Sequence, residues 1–204
     1  MTRTVDYFLS LNSPWTYFGH ERFREILRRH GATTRVKPVD YDRVFAASGG
    51  LPLRQRAPQR QAYRLYELER WRTHLNVPLN INPRHFPVSG NLAAMMVIAA
   101  DMLDDRDRTL DLVGAILRGV WAEERDIADT DQLKSIAVSI GFDAERLAAR
   151  AAAPETKAAY DALTDEAIER QVFGAPFYVY AGEPFWGQDR LEFLNRALAR
   201  PTAG

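Results

Sequence analysis

Ser13 precedes Pro14 where a short β-rich run gives way to helical spacing, so its hydroxyl stands at a helix N-terminus. Unpaired N–H groups and the helix macrodipole favour an anion there. Ser is also a favoured N-cap and Pro a favoured first helical residue, so the same pair can serve as a cap worth about 1 kcal/mol and nothing more. As chemistry, the hydroxyl can donate to a bound thiolate and lower its pKa, as helix N-termini do for Cys. A second stretch is Phe173-Gly174-Ala175-Pro176-Phe177. A trans Pro176, the commoner form, would simply open a strand, whereas a cis Pro176 would leave the N–H and C=O before it free to pair with an extended ligand. In Trp186-Gly187-Gln188-Asp189-Arg190, Gly187 permits close backbone approach, and Asp189 either pairs an ammonium or caps the helix that follows. Arg54, Arg56, Arg60 and Arg64 form a basic cluster, read as a solvated face or as a holder of a substrate carboxylate through bidentate contacts.

Composition narrows what these residues can do. The 204 residues carry 27 Lys+Arg against 27 Asp+Glu, so no long-range field draws the chain to nucleic acid or an anionic membrane, and neither is expected as a partner. There is no Cys, which excludes disulfides, thiolate metal ligation, a Cys nucleophile and a dithiol redox cycle. Any thiol chemistry must therefore use a thiol brought from outside. The histidines at 20, 30, 74 and 85 show neither HExxH nor HxH spacing, so no metal site is expected and each reads as a surface or loop side chain. Asp104-Asp105-Arg106-Asp107 and Glu123-Glu124-Arg125 read as solvated helix ends, and Gly49-Gly50 lacks a phosphate-loop or dinucleotide context. The longest apolar run, Leu92 to Ala100, is far short of the roughly 20 residues that span a bilayer, and Met1 to Ser10 lacks a signal-peptide layout. A cytoplasmic protein is the expectation.

The elements that position the candidates follow from periodicity. Thr4 to Ser10 predicts a buried strand running into a turn at Asn12-Ser13-Pro14. Tyr17, Phe18, Phe23, Ile26 and Leu27 then recur at helical spacing until His30-Gly31, and Thr33 to Val39 predicts a second strand, making a βαβ unit with parallel strands. From Asp40 to about Gln171 the pattern is helical, with Leu65, Leu68, Trp71 and Leu75 on one face and Leu110, Val113, Leu117 and Val120 on another. Leu92 to Leu103, Gln132 to Ile140, Asp143 to Ala153 and Pro154 to Val172 complete the helices, and Asn80 to Pro83 with Phe86-Pro87 predicts a rigid loop. Ala175 to Tyr180 and Pro184 to Trp186 predict a hairpin, followed by a helix over Leu191 to Leu198. The two ends are thus expected to form one sheet, with the helical block inserted between them.

In this order, Ser13-Pro14-Trp15-Thr16-Tyr17, Leu68-Glu69-Arg70-Trp71, Val172-Phe173-Gly174-Ala175-Pro176 and Phe185-Trp186-Gly187-Gln188-Asp189-Arg190 resemble the 2-hydroxychromene-2-carboxylate isomerases, relatives of the kappa-class glutathione transferases. Asn82-Pro83-Arg84-His85-Phe86-Pro87-Val88 also resembles a kappa-type loop, while Gly49 to Gln61 departs from the Lys- and Asn-containing pattern of those relatives. The resemblance implies an α/β fold: a thioredoxin-like domain over residues 1–42 plus 172–204, with a large all-helical insertion over 43–171. It implies glutathione as cofactor and interconversion of 2-hydroxychromene-2-carboxylate with trans-o-hydroxybenzylidenepyruvate. By the same carry-over Ser13 would hydrogen-bond the glutathione sulfur, and Ala175 before Pro176 would pair with the cysteinyl unit. Trp186, Gly187, Gln188, Asp189 and Arg190 would hold the γ-glutamyl end. The substrate carboxylate would fall to Arg54 or to His85 in the Arg84-His85 loop. A homodimer is implied as well. A kappa-type transferase and a non-catalytic glutathione-binding module remain the alternatives.

Overall fold

Val5, Tyr7 and Leu9 alternate with Asp6 and Phe8, and this period of two splits strand β1 (Thr4–Leu9) between two apolar clusters, one on each face of the sheet. The computed structural model describes residues 3–103 and 106–200, with the side chains of 106 and 107 left aside. Asp104 and Asp105 of the expected solvated run lie outside the described residues. After β1 come α1 (Pro14–His30), β2 (Thr33–Pro38), α2 (Tyr41–Ser48), a 3₁₀ turn (Leu53–Gln55), α3 (Pro58–Leu75), α4 (Asn91–Met102), α5 (Arg106–Trp121), α6 (Thr130–Ser139), α7 (Ala144–Ala151) and α8 (Pro154–Glu169). The chain closes with β3 (Phe177–Tyr180), β4 (Glu183–Trp186), a second 3₁₀ turn (Gln188–Arg190) and α9 (Leu191–Ala199).

The sheet order is β2-β1-β3-β4, with β1 parallel to β2 and antiparallel to β3, and β3 antiparallel to β4. Both ends of the sequence therefore build one mixed sheet, and α2 to α8 fall between its halves. The result is the expected thioredoxin-like α/β class with a helical insertion. The expected boundary at residues 42 and 43 falls inside α2, because Asp40 already caps that helix by accepting from the N–H groups of Asp42 and Arg43. On one face α1 packs against α5 and α9, burying Phe23, Tyr178 and Leu198; on the other, Phe8, Phe177 and Val179 meet Val44 of α2 and Ala167 of α8. No helix among the described residues is long and apolar enough to cross a membrane.

Three expectations are corrected here. Leu65 is exposed, and the inward stripe of α3 runs through Gln61, Arg64, Leu68, Trp71 and Leu75, spaced three and four residues apart. His20 is not a surface side chain: it is buried on α1, with Nε2 donating to the Leu110 carbonyl at 2.9 Å and Nδ1 lying 3.4 Å from the Tyr7 hydroxyl. The third strand begins at Phe177, not Ala175, since Pro176 brings no N–H to the ladder and the Ala175–Pro176 peptide is cis.

Candidate functional site

The turn between β1 and α1 brings Ser13 to the carboxyl end of a central strand. Ser13 takes an extended backbone conformation, and its Oγ accepts from the Thr16 N–H at 3.3 Å, so the hydroxyl hydrogen stays free to donate. No acidic residue occupies the first turn of α1, and the Trp15 N–H has no partner among the described residues. The positive end of the helix is left uncompensated. Asn12 anchors this turn by donating to the Val88 carbonyl at 2.7 Å, which ties it to the loop containing the cis Phe86–Pro87 peptide.

The loop before β3 faces the same space. The Gly174 carbonyl accepts from the Tyr41 hydroxyl at 3.0 Å and the Pro176 carbonyl from the Gly187 N–H at 2.9 Å. Between these two fixed points, neither the N–H nor the C=O of Ala175 has a partner among the described residues. Trp186 closes over this loop: a Cβ added to Gly174 would stand 2.4 Å from its indole nitrogen, so only glycine fits beneath the ring. Phe173 meets the same indole edge-on, with ring centroids 4.7 Å apart. Burial pushes the Tyr41 phenol well above its usual range, so it stays a neutral donor to Gly174.

Ser13, Trp15, Arg54, Phe86, Ala175 and Trp186 line one cavity of about 680 Å³. Of the residues that the resemblance gives to cofactor or substrate, Ser13, Ala175, Trp186 and Arg54 thus meet there. Pro176 and Gly187 act behind them through the backbone, and Gly187, at φ 98°, holds a conformation that suits glycine.

Other candidates point elsewhere. The Gln188 side chain is buried against α1, where Arg22 Nη1 donates to its Oε1 at 2.6 Å. Asp189 and Arg190 are exposed and paired to each other at 2.7 Å, and Arg190 lines a separate groove of about 510 Å³ with Phe185, Phe193 and Arg196. Trp186 borders both spaces. His85 lies outside this lining: its Nδ1 is 3.7 Å from Asp126 Oδ2, and the neighbouring Phe86 takes the cavity wall.

Arg56 and Arg64 of the same basic cluster line the cavity too, whereas the family resemblance points within that cluster to Arg54 alone. A signal for Arg64 existed. It lies four residues before Leu68 and seven before Trp71, on the apolar face of α3, where a cation is out of place unless it has a use.

Comparison with known proteins gives a consistent picture. The chain is 29% identical to a 2-hydroxychromene-2-carboxylate isomerase of Sphingobium xenophagum, over 97% of this chain and 99% of that protein. Against human glutathione S-transferase kappa 1 the identity is 25%, over 100% of this chain and 94% of that one. A solved 2-hydroxychromene-2-carboxylate isomerase superposes with a TM-score of 0.79 at 26% identity, covering 97% of this chain and 95% of the other. DsbA-like thioredoxin domains match residues 4–199. A sheet assembled from both chain ends, a helix N-terminus facing a cis-proline loop, and a match spanning nearly every residue lead to one assignment: this chain belongs to the family of DsbA-like thioredoxin domains.

Proposed function

We propose that the protein is a glutathione-dependent isomerase that interconverts 2-hydroxychromene-2-carboxylate and trans-o-hydroxybenzylidenepyruvate. One observation carries this reading: Ser13, with a hydroxyl hydrogen free to donate, opens onto the same cavity as Ala175, whose main-chain N–H and C=O are unpaired. The set suits a cysteinyl peptide, since a strand-like backbone pair would hold the peptide and a hydroxyl at a positive helix end would hold its sulfur. With no Cys in the chain, a dithiol cycle has no second sulfur to use. Relatives named as isomerases and as glutathione transferases support the same chemistry.

Glutathione, when bound, would supply a thiolate nucleophile for the conjugated alkene: with the hemiketal ring C–O bond opened to a phenol and a ketone, the carbon–carbon bond made single by addition could rotate, and elimination of the same thiolate would restore the alkene as trans. The chain's own residues do the rest. Ser13 donates to the sulfur and holds it deprotonated, helped by the Trp15 N–H and the unopposed macrodipole of α1. Ala175 fixes the cysteinyl unit through its main chain. The γ-glutamyl end would leave the cavity past Trp186, which borders the neighbouring groove as well, to reach Gly187 and the exposed Asp189–Arg190 pair, where Asp189 would take the ammonium in exchange for Arg190. The aromatic walls, Trp15 and Phe86 among them, exclude water around the reacting atoms.

Calorimetric titration with reduced glutathione and with S-methyl glutathione tests the cofactor. Saturable binding of the free thiol, weakened by Ser13→Ala, is expected. Turnover of 2-hydroxychromene-2-carboxylate should require glutathione and leave the free thiol concentration unchanged. Consumption of the thiol would convert the reading to a kappa-type transferase, and absence of binding at millimolar glutathione would remove it.

A further inference from the structure

Arg54, Arg56, Arg60 and Arg64 stand without a carboxylate within 4.0 Å among the described residues, although the chain holds as many acids as bases. Three of them line the cavity. Arg54 is exposed and Arg56 half-buried, its Nε donating to the Leu51 carbonyl at 2.8 Å. Arg64 differs from both. Its guanidinium lies 5.1 Å from the centroid of Phe86 and 5.7 Å from that of Trp121, and its Nη2 is buried with no hydrogen-bond partner. Ring faces stabilise such a cation by a modest amount, less than a buried donor loses when it goes unmatched.

We propose that Arg64 is the seat of the substrate carboxylate, and that the cavity takes a planar aromatic acid whose ring packs among Trp15, Phe45, Phe86 and Trp186. This assignment of substrate rests on the isomerase reading. The geometry favours Arg64 over the other cations because, among the described residues, it alone combines a place in the cavity wall, aromatic contacts that hold its guanidinium plane, and a buried nitrogen without a partner. Burial, and then the charge of Arg56, pushes its pKa down to about 10, so it remains a cation at neutral pH. Asp40 and Asp42 also border the cavity. Asp40 is committed to capping α2, with Oδ1 2.9 Å from the Asp42 nitrogen, and Asp42 is exposed, so neither neutralises Arg64. A carboxylate is the common chemistry of an aromatic acid and of glutathione itself, and the experiment separates the two sources.

Wild type, Arg64→Met and Arg64→Lys are titrated calorimetrically with 2-hydroxycinnamate, with its methyl ester, and with reduced glutathione. Wild type is expected to bind the acid more tightly than the ester, and Arg64→Met to lose about tenfold or more in affinity for the acid. Arg64→Lys should recover part of that loss, because the charge returns without the fork. Ester and glutathione affinities should not change. Equal affinity of wild type for acid and ester, or an Arg64→Met variant that binds the acid like wild type, overturns the proposal. A loss confined to glutathione also overturns it, by giving the carboxylate on Arg64 to the peptide. If no variant binds glutathione yet acid binding still depends on Arg64, the seat stands and the cofactor reading falls.

Discussion

Around Asp6 three cations close on one buried carboxylate, whereas the three arginines that line the cavity, Arg54, Arg56 and Arg64, have no carboxylate partner among the described residues. Asp6 lies on a central strand with its side chain 3% exposed. Arg35, its cross-strand partner in register, donates Nη2 to Oδ2 at 2.8 Å; Lys37 stands 3.2 Å from Oδ1, and Arg170 completes the set. Glu166 answers the excess of positive charge, accepting from Lys37 at 2.6 Å and from Arg170 at 3.0 Å. Five charges thus join β1, β2 and the end of α8, fastening the inserted helices to the sheet. At the cavity the same chemistry is left open. Charge taken out of water and matched within the chain serves the fold, and charge left unmatched beside a cavity, as at Arg64, suits a ligand of opposite sign.

The largest effect is expected where matching is complete. Asp6→Asn would leave Lys37, itself buried, facing Arg35 and Arg170 with only Glu166 to share, and should cost about 3–5 kcal/mol of stability. Urea unfolding measures this directly, and a neutral result would erase the distinction drawn between the two regions. Acid has a related effect. Burial alone would raise the Asp6 pKa, but Arg35, Arg170 and Lys37 outweigh it and hold the carboxyl below its usual 3.8. Its contribution is complete above that value and is lost as the pH falls through the lower, folded one.

A separate window belongs to His20. Burial, the dominant influence, pushes its pKa from 6.5 down to about 4, against Glu21 and the Leu110 carbonyl, which pull it upward. The unfolded chain therefore binds a proton that the folded chain refuses. Stability is complete above pH 6.5 and declines as the pH falls toward 4, by about 3 kcal/mol in all. The urea midpoint of wild type should fall across this window and that of His20→Gln should stay flatter. This decline begins above the acid range in which Asp6 loses its contribution, so it reports a buried neutral group and not the charged cluster around Asp6.

How far the sequence could be read follows the same division between local and distant partners. Helix α1 was legible at both ends, since Ser13-Pro14 and His30-Gly31 set its caps within a few residues, and Gly31 takes the left-handed conformation at φ 56°. Ser13 and the Ala175-Pro176 loop were legible for the same reason: each is a turn whose own residues specify it. Gln188 was not, because its partner Arg22 lies 166 residues away. Nor was the role of Asp6, whose bond to Arg170 spans 164 residues. Arg64 was legible only as one member of a basic cluster, and its place on the inward face was concealed differently. A periodicity argument counts apolar residues, and Leu65 beside it satisfied the count, although Leu65 faces solvent. A cation on an apolar stripe is invisible to a pattern that asks only where the leucines are.

A smaller change is expected at Ser13. Ser13→Ala removes the acceptor of the Thr16 N–H and should cost about 1 kcal/mol, with the fold otherwise kept. Turnover should fall far more than that loss explains, because the free hydroxyl hydrogen goes as well. A variant as active as wild type would reduce Ser13 to a cap and leave the arginines as the cavity's sole chemistry.

The smallest change in stability, and the most informative in sign, is expected at Arg64. Met fills a similar volume, keeps the contacts with Phe86 and Trp121, and removes an unmatched buried donor, so Arg64→Met should unfold at the same temperature as wild type or slightly above it. Asp6→Asn moves the other way, although both variants remove one charge from a half-dry place. Thermal unfolding with 2-hydroxycinnamate completes the contrast. A ligand that binds only the folded state raises the midpoint, so wild type should gain stability in its presence while Arg64→Met should not. Asp6→Asn, with its cavity intact, should gain as much as wild type from a lower starting point. A destabilised Arg64→Met would place that cation with Lys37 among the charges that hold the fold, and the two regions would no longer differ in kind.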